Sequence, residues 1–137
     1  MGLHRSVSLL IMGACALAAT APSASPLQGS EWQPLRIGDE AVAADVVPFV
    51  RFHSKGRLEG HSGCNRLFAE YDAADGNIFI GPVAASRRIC DPESMRREGD
   101  LARALEGART YLRQQTALVL FDAAGQPILE MRQTDWD

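Results

Sequence analysis

The stretch Phe49-Val50-Arg51-Phe52-His53-Ser54-Lys55-Gly56-Arg57-Leu58-Glu59-Gly60-His61 reads as two strands and a turn. Val50 and Phe52 fall on one face of the first strand, and Arg51 and His53 fall on the other. Ser54-Lys55-Gly56 supplies a turn whose glycine accepts a positive φ. Arg57 to His61 runs back, with Leu58 and Gly60 on the inner face. The chain then continues through Ser62-Gly63-Cys64-Asn65-Arg66 into a further strand pattern, Leu67 to Tyr71. Asp72 to Gly76 is a turn-rich loop, Asn77 to Ile80 is its return strand, and Gly81-Pro82 ends that strand.

Working outward, Glu31 to Ile37 around Trp32 and Leu35 reads as a first strand. Ala41 to Val47 is an apolar patch after the turn signal Gly38-Asp39, and Pro48 marks a strand start or an edge. Asp91-Pro92-Glu93 is a helix start: the aspartate caps open N–H groups, proline fits the first position, and glutamate suits the positive end of the dipole. Met95, Leu101, Ala102, Leu105 and Ala108 share one helical stripe, whereas Arg96, Arg97, Glu98, Asp100 and Arg103 are placed outside it. Gly99 weakens this helix and Gly107 lies near its end. Arg109 to Gln114, Thr116 to Phe121 and Ile128 to Arg132 complete the strands, with a turn at Asp122 to Gly125. Many short strands and one helix predict an α+β domain: a mainly antiparallel β-sheet curled toward a small barrel, with one packed α-helix.

Residues 1–25 carry the pattern of a secretory signal peptide: a polar start with His4 and Arg5, an uncharged apolar run from Val7 to Ala19, and small residues from Ala18 to Ser25. The run is shorter than the roughly 20 residues of a membrane span. Cleavage after Ala18, Ala19 or Ser23 fits, since Pro22 and Pro26 disfavour cuts directly before them. Met12-Gly13-Ala14-Cys15 offers a second route, in which Cys15 would carry lipid. Met12 stands where a lipobox has leucine, and the apolar run continues past Cys15, so a plain apolar role for Cys15 stays open.

Residues 26–137 then form one domain. The whole chain has a formal net charge of −3, and the leader contains one arginine and no acid, so the remainder is more acidic still. Nucleic acid is not an expected partner, because it requires a basic footprint. Two cysteines remain after the leader, Cys64 and Cys90. An even count in an exported chain reads as a disulfide. A metal site built from His53, His61, Cys64 and Cys90 is the less favoured alternative, because Cys90 has no neighbouring ligand. No metal and no cofactor are expected.

The strings together resemble the META domain family, whose members include HslJ-like heat-shock lipoproteins. The resemblance runs from Gly29-Ser30-Glu31-Trp32 to Met131. It rests on Ser30, Trp32 and Leu35; on Gly60, His61, Ser62, Gly63, Cys64, Asn65 and Arg66; on Phe68 and Tyr71; and on Ile80, Gly81 and Pro82. The string ending in Cys90, the capped helix, Tyr111, Leu118-Val119-Leu120 and Gly125 complete it. Ser86 departs from the family's threonine, Arg88 from methionine and Ala69 from glycine. The resemblance implies a small barrel with a helix on it and an envelope location in bacteria, often as a lipoprotein. Stress response and antibiotic tolerance attach to family members, and no catalytic residues come with it.

Candidate chemistry is sparse. Gly60-His61-Ser62-Gly63 invites a serine-hydrolase reading with Ser62 as nucleophile, but Cys64 stands where the elbow needs its last glycine, and strand pattern follows. A tight bend with local hydrogen bonds from Ser62 and Asn65 is the plainer reading. Arg87, Arg88, Arg96 and Arg97 offer an anion-binding patch near the helix start, with a solvated face beside Glu93 and Asp100 the favoured reading. Phe68, Tyr71 and Phe79 read as core or cross-strand pairs. The expectation is a non-enzymatic, exported META/HslJ-like domain, periplasmic or envelope-anchored and monomeric. It would act in envelope stress response or bind a protein or small ligand there, and would meet the membrane only if lipidated at Cys15. A barrel that binds a small molecule or lipid is the alternative.

Overall fold

The computed structural model describes residue 2, residues 13–17 and residues 27–134. Most of the expected leader, with the cleavage points at Ala18, Ala19 and Ser23, lies outside the described residues. Cys15 is exposed and carries no disulfide.

The strands are β1 (Glu31–Ile37), β2 (Glu40–Ala41), β3 (Phe49–Phe52), β4 (Arg57–His61), β5 (Arg66–Ala74), β6 (Asn77–Ile80), β7 (Ala84–Ala85), β8 (Thr110–Gln114), β9 (Ala117–Phe121) and β10 (Pro127–Gln133). One helix, α1 (Pro92–Gly107), lies between β7 and β8. The sheet runs β10-β9-β8-β6-β5-β4-β3-β1, and β1 pairs antiparallel with β10, closing an eight-stranded barrel. β2 hangs from β1, and β7 pairs the first part of β5 beyond the end of β6. The seam between β6 and β8 is thin, with one paired position, Asn77 opposite Thr110.

The β3–β4 hairpin forms as its alternation dictates. Arg51 lies opposite Glu59 and Phe52 opposite Leu58; Val50, Phe52, Leu58 and Gly60 face inward and are buried. Gly60 is required by a close approach: a methyl group there would sit 2.8 Å from the Phe49 carbonyl oxygen. The predicted loop at Asp72–Gly76 is mostly strand, because β5 runs to Ala74 and turns through Asp75 and Gly76 alone. The apolar patch from Ala41 to Val47 contributes only the end of β2 before leaving the sheet.

Trp32, Val50, Phe52, Leu67, Leu118, Leu120, Leu129 and Met131 fill the barrel axis, all at most 2% exposed. Leu101, Ala104, Leu105 and Ala108 lay the helix onto this core. An eight-stranded barrel is just wide enough for its own side chains, and this one is packed with them. Leu35 faces outward at 41% exposure because it alternates with the inward Trp32 and Pro34; a register shift between Pro34 and Arg36 then leaves Arg36 outside as well and turns Ile37 in. Phe68 and Phe79 are also outside, at 41% and 59%. They are not core residues: Arg66 lies over the Phe68 ring at 5.0 Å and Arg109 over Phe79 at 5.6 Å.

Candidate functional site at the Cys64 turn

The turn from β4 to β5 holds most of the residues singled out in the sequence. Gly63 has φ 98°, in the region that favours glycine, and a methyl group there would press on Val46 at 3.1 Å. This bend turns the Ser62 hydroxyl inward, where it accepts the N–H groups of Cys64 at 3.1 Å and Asn65 at 3.0 Å. The same hydroxyl donates to Glu98 Oε2 at 2.7 Å. Ser62 and Asn65 are each 1% exposed and Glu98 is 9% exposed.

Asn65 carries the other half of the arrangement. Its Oδ1 accepts the Arg88 N–H at 2.7 Å and the Ser86 hydroxyl at 2.9 Å. Its Nδ2 donates to the Arg88 carbonyl at 3.0 Å and to Glu98 Oε1 at 3.3 Å. Ser86 also accepts the Arg66 N–H at 3.0 Å and donates its own N–H to the Arg66 carbonyl at 3.0 Å. Cys64 and Cys90 form a disulfide with Cα atoms 6.1 Å apart. One residue later Asp91 caps α1, accepting the Ser94 N–H at 3.0 Å and the Ser94 hydroxyl at 2.6 Å. These bonds hold the Asp91 carboxyl below the usual carboxylate range.

Three segments distant in sequence thus meet: the Ser62–Asn65 turn, the Ser86–Cys90 segment and the first turns of α1. The disulfide leaves Cys64 and Cys90 unavailable as thiolate ligands, and His61 Nδ1 accepts the Gly63 N–H at 3.0 Å. Among the described residues no group of three His, Cys, Asp or Glu side chains is placed to hold a metal ion. Ser62 is fully engaged within the chain, and its hydroxyl points at a buried carboxylate rather than at an open cleft. Glu98, expected outside the apolar stripe of the helix, is buried. It shares the buried face with Leu101 and Leu105 at helical spacing, but the spacing alone does not say why an acid stands there.

Arg66 and the Gly81-Pro82 pair lie elsewhere, on the outer face. Arg66 binds Glu59 at 3.1 Å, and His53 meets the other Glu59 oxygen at 3.0 Å. Hydrogen bonds from His53 and then from Arg66 hold the Glu59 carboxyl below its ordinary range. Beside them Arg57, Phe68, Ala69, Glu70, Gly81 and Pro82 line a groove of about 420 Å³. Arg96 is solvated as the sequence suggests and pairs with Glu40 and Asp100, whereas Arg97, which also pairs with Glu93, is largely covered, its side chain 13% exposed.

The model of the META domain family matches residues 25–135. An NMR structure of a protein from Burkholderia xenovorans is similar with a TM-score of 0.64 at 18% identity, over 99% of this chain and 100% of its own. A second NMR structure gives a TM-score of 0.62 at 21% identity, over 77% of this chain and 90% of its own. At these identities the likeness concerns the fold alone. Among curated proteins none matches the chain.

Proposed function

The chain belongs to the META domain family, and on that premise we propose that it is an exported, non-enzymatic module of the cell envelope that supports stress tolerance by binding a partner there. The observation that carries this reading is the Cys64–Cys90 disulfide beside a turn whose Ser62 and Asn65 side chains are bonded inside the chain. Disulfides of this kind form and persist in oxidising compartments, and residues 1–25 have the composition of an export leader. A turn that satisfies itself holds shape and leaves no side chain poised for turnover. Recognition then falls to the outer surface, since the barrel axis is filled.

The test is the intact mass of the native protein isolated from cells, together with affinity capture from envelope extract. The expected result is a chain without its leader, lighter by two hydrogens for the disulfide, with a retained partner. A full-length cytoplasmic chain with reduced thiols overturns the export reading. Turnover that depends on Ser62 overturns the non-enzymatic one.

A further inference from the structure

The segment between the Asn65 clasp and the disulfide presents Arg87, Arg88 and Ile89 to solvent. Among residues 27–134 Ile89 is the most exposed large apolar side chain, at 94%. A single exposed isoleucine is unremarkable on its own. Here it is held in place from both sides. The preceding residue has both backbone groups bound by Asn65, and the following residue is bonded to Cys64. The backbone that carries the side chain is therefore pre-set, and ordering the segment on contact costs little. Met95 and Val47 extend the apolar area at this end of the barrel, at 36% and 65% exposure. Met95 lies against the Cys64 sulfur at 3.9 Å, and Val46, next to Val47, packs on Gly63.

Cations without a carboxylate partner gather at this tip, as they do singly at Lys55, Arg57, Arg109 and Arg132 among the described residues. Arg36, Arg51, Arg66, Arg96, Arg97 and Arg103 each pair with a carboxylate. The Arg87 and Arg88 side chains have no carboxylate partner among the described residues. The nearest acids in sequence are already engaged, Asp91 with Ser94 and Glu93 with Arg97. On a chain of net charge −3 this is a local cationic point carrying an apolar side chain.

We propose that the Arg87-Arg88-Ile89 tip docks on an anionic phospholipid surface. Ile89 would enter the acyl boundary, and the two guanidinium groups would stay among the phosphates. A protruding tip suits a fluid interface. A stable protein partner would need about 800 Å² of complementary surface on each side. The inference leans on the envelope reading only for where such a surface is met, and its test requires no export.

The test uses the full chain with Ile89→Trp and vesicles containing brominated phosphatidylcholine, with or without phosphatidylglycerol. The wild-type chain, which keeps Trp32 and Trp136, gives the background. The expected result is extra quenching in Ile89→Trp with anionic vesicles, little with neutral ones, and loss of it in high salt. Arg87→Gln and Arg88→Gln in that background should each weaken the dependence on vesicle concentration roughly fivefold, equivalent to about 1 kcal/mol per arginine near an anionic surface. Near-ultraviolet circular dichroism confirms that each variant is folded. No extra quenching in a folded Ile89→Trp chain overturns the proposal, as does equal quenching by neutral vesicles. Capture of a single protein that is lost with Ile89→Asp, in the absence of vesicle quenching, would assign the tip to a protein partner instead. None of these outcomes bears on where the chain resides or whether Ser62 turns over a substrate, so failure here leaves the envelope reading standing.

Discussion

The Asn65 side chain binds both backbone groups of Arg88, accepting its N–H at 2.7 Å and donating to its carbonyl at 3.0 Å. A primary amide thereby stands in for a neighbouring strand and fixes a segment that belongs to none. Asn65→Ala leaves buried donors and acceptors without partners, which should cost about 3 kcal/mol. Asn65→Asp keeps the acceptor and loses the donor, so it should lie between. Urea denaturation checks both, and a loss under about 1 kcal/mol for the alanine variant would show that water replaces the amide.

The disulfide and the amide hold the same segment, so neither alone should be essential for folding. Closing the loop between Cys64 and Cys90 stabilises by roughly 3 kcal/mol in the chain-entropy account. The Cys64→Ser, Cys90→Ser double variant should therefore keep its far-ultraviolet spectrum but melt earlier. Adding Asn65→Ala should cost more than the sum of the separate losses, because the two sites share one segment.

Trypsin offers an independent reading of the same clasp. Arg87 and Arg88 are exposed, but a protease must first free the bound backbone at Arg88. Nicking should be slow in the native chain and faster in Asn65→Ala. A cut after Arg88 separates Cys64 from Cys90 in sequence, so the fragments should migrate as one band without reductant and as two with it. Two bands without reductant would show that the disulfide is not formed.

Ser62→Ala should act on stability. Removing the hydroxyl orphans the N–H groups of Cys64 and Asn65, at a cost of about 2 kcal/mol or more. Glu98→Gln retains an acceptor for Ser62 and should be milder than Glu98→Ala. A variant with normal melting that had lost a measurable hydrolysis would instead place Ser62 in chemistry.

Acid should weaken the outer face through Glu59. Its folded pKa is lowered by His53 and Arg66, so the stabilisation is present above the ordinary carboxylate pKa. It disappears as pH falls through the lowered value. The wild-type chain should therefore lose more stability than Glu59→Gln between neutral pH and about pH 3. Parallel denaturation midpoints for the two proteins across that range would rule this out.

The hairpin from Phe49 to His61 was legible because its alternation has a period of two and its partner lies next to it. The helix was legible from its cap and stripe. The candidate site was legible as a string of residue types, including the cysteine pair, but its central acid was not. Glu98 sits at helical spacing among apolar residues, yet a glutamate there becomes reasonable only once Ser62 and Asn65, more than thirty positions away, are seen to receive it. For Phe68 and Phe79 the core half of the reading fails: Arg66, two residues earlier on the same strand, covers Phe68, a spacing visible in the sequence, whereas Arg109 reaches Phe79 from beyond the helix. Ile37 turned inward through a slip in register that no local pattern announces.

The pairing of β1 with β10 also has a temporal side. Trp32 meets Gln133 across that join, so one stave of the cylinder waits for the last one to be synthesised. Until β10 emerges, β1 lacks this neighbour and the ring stays open. Contacts so far apart along the chain assemble slowly, so the cylinder shuts only after the whole domain has left the ribosome.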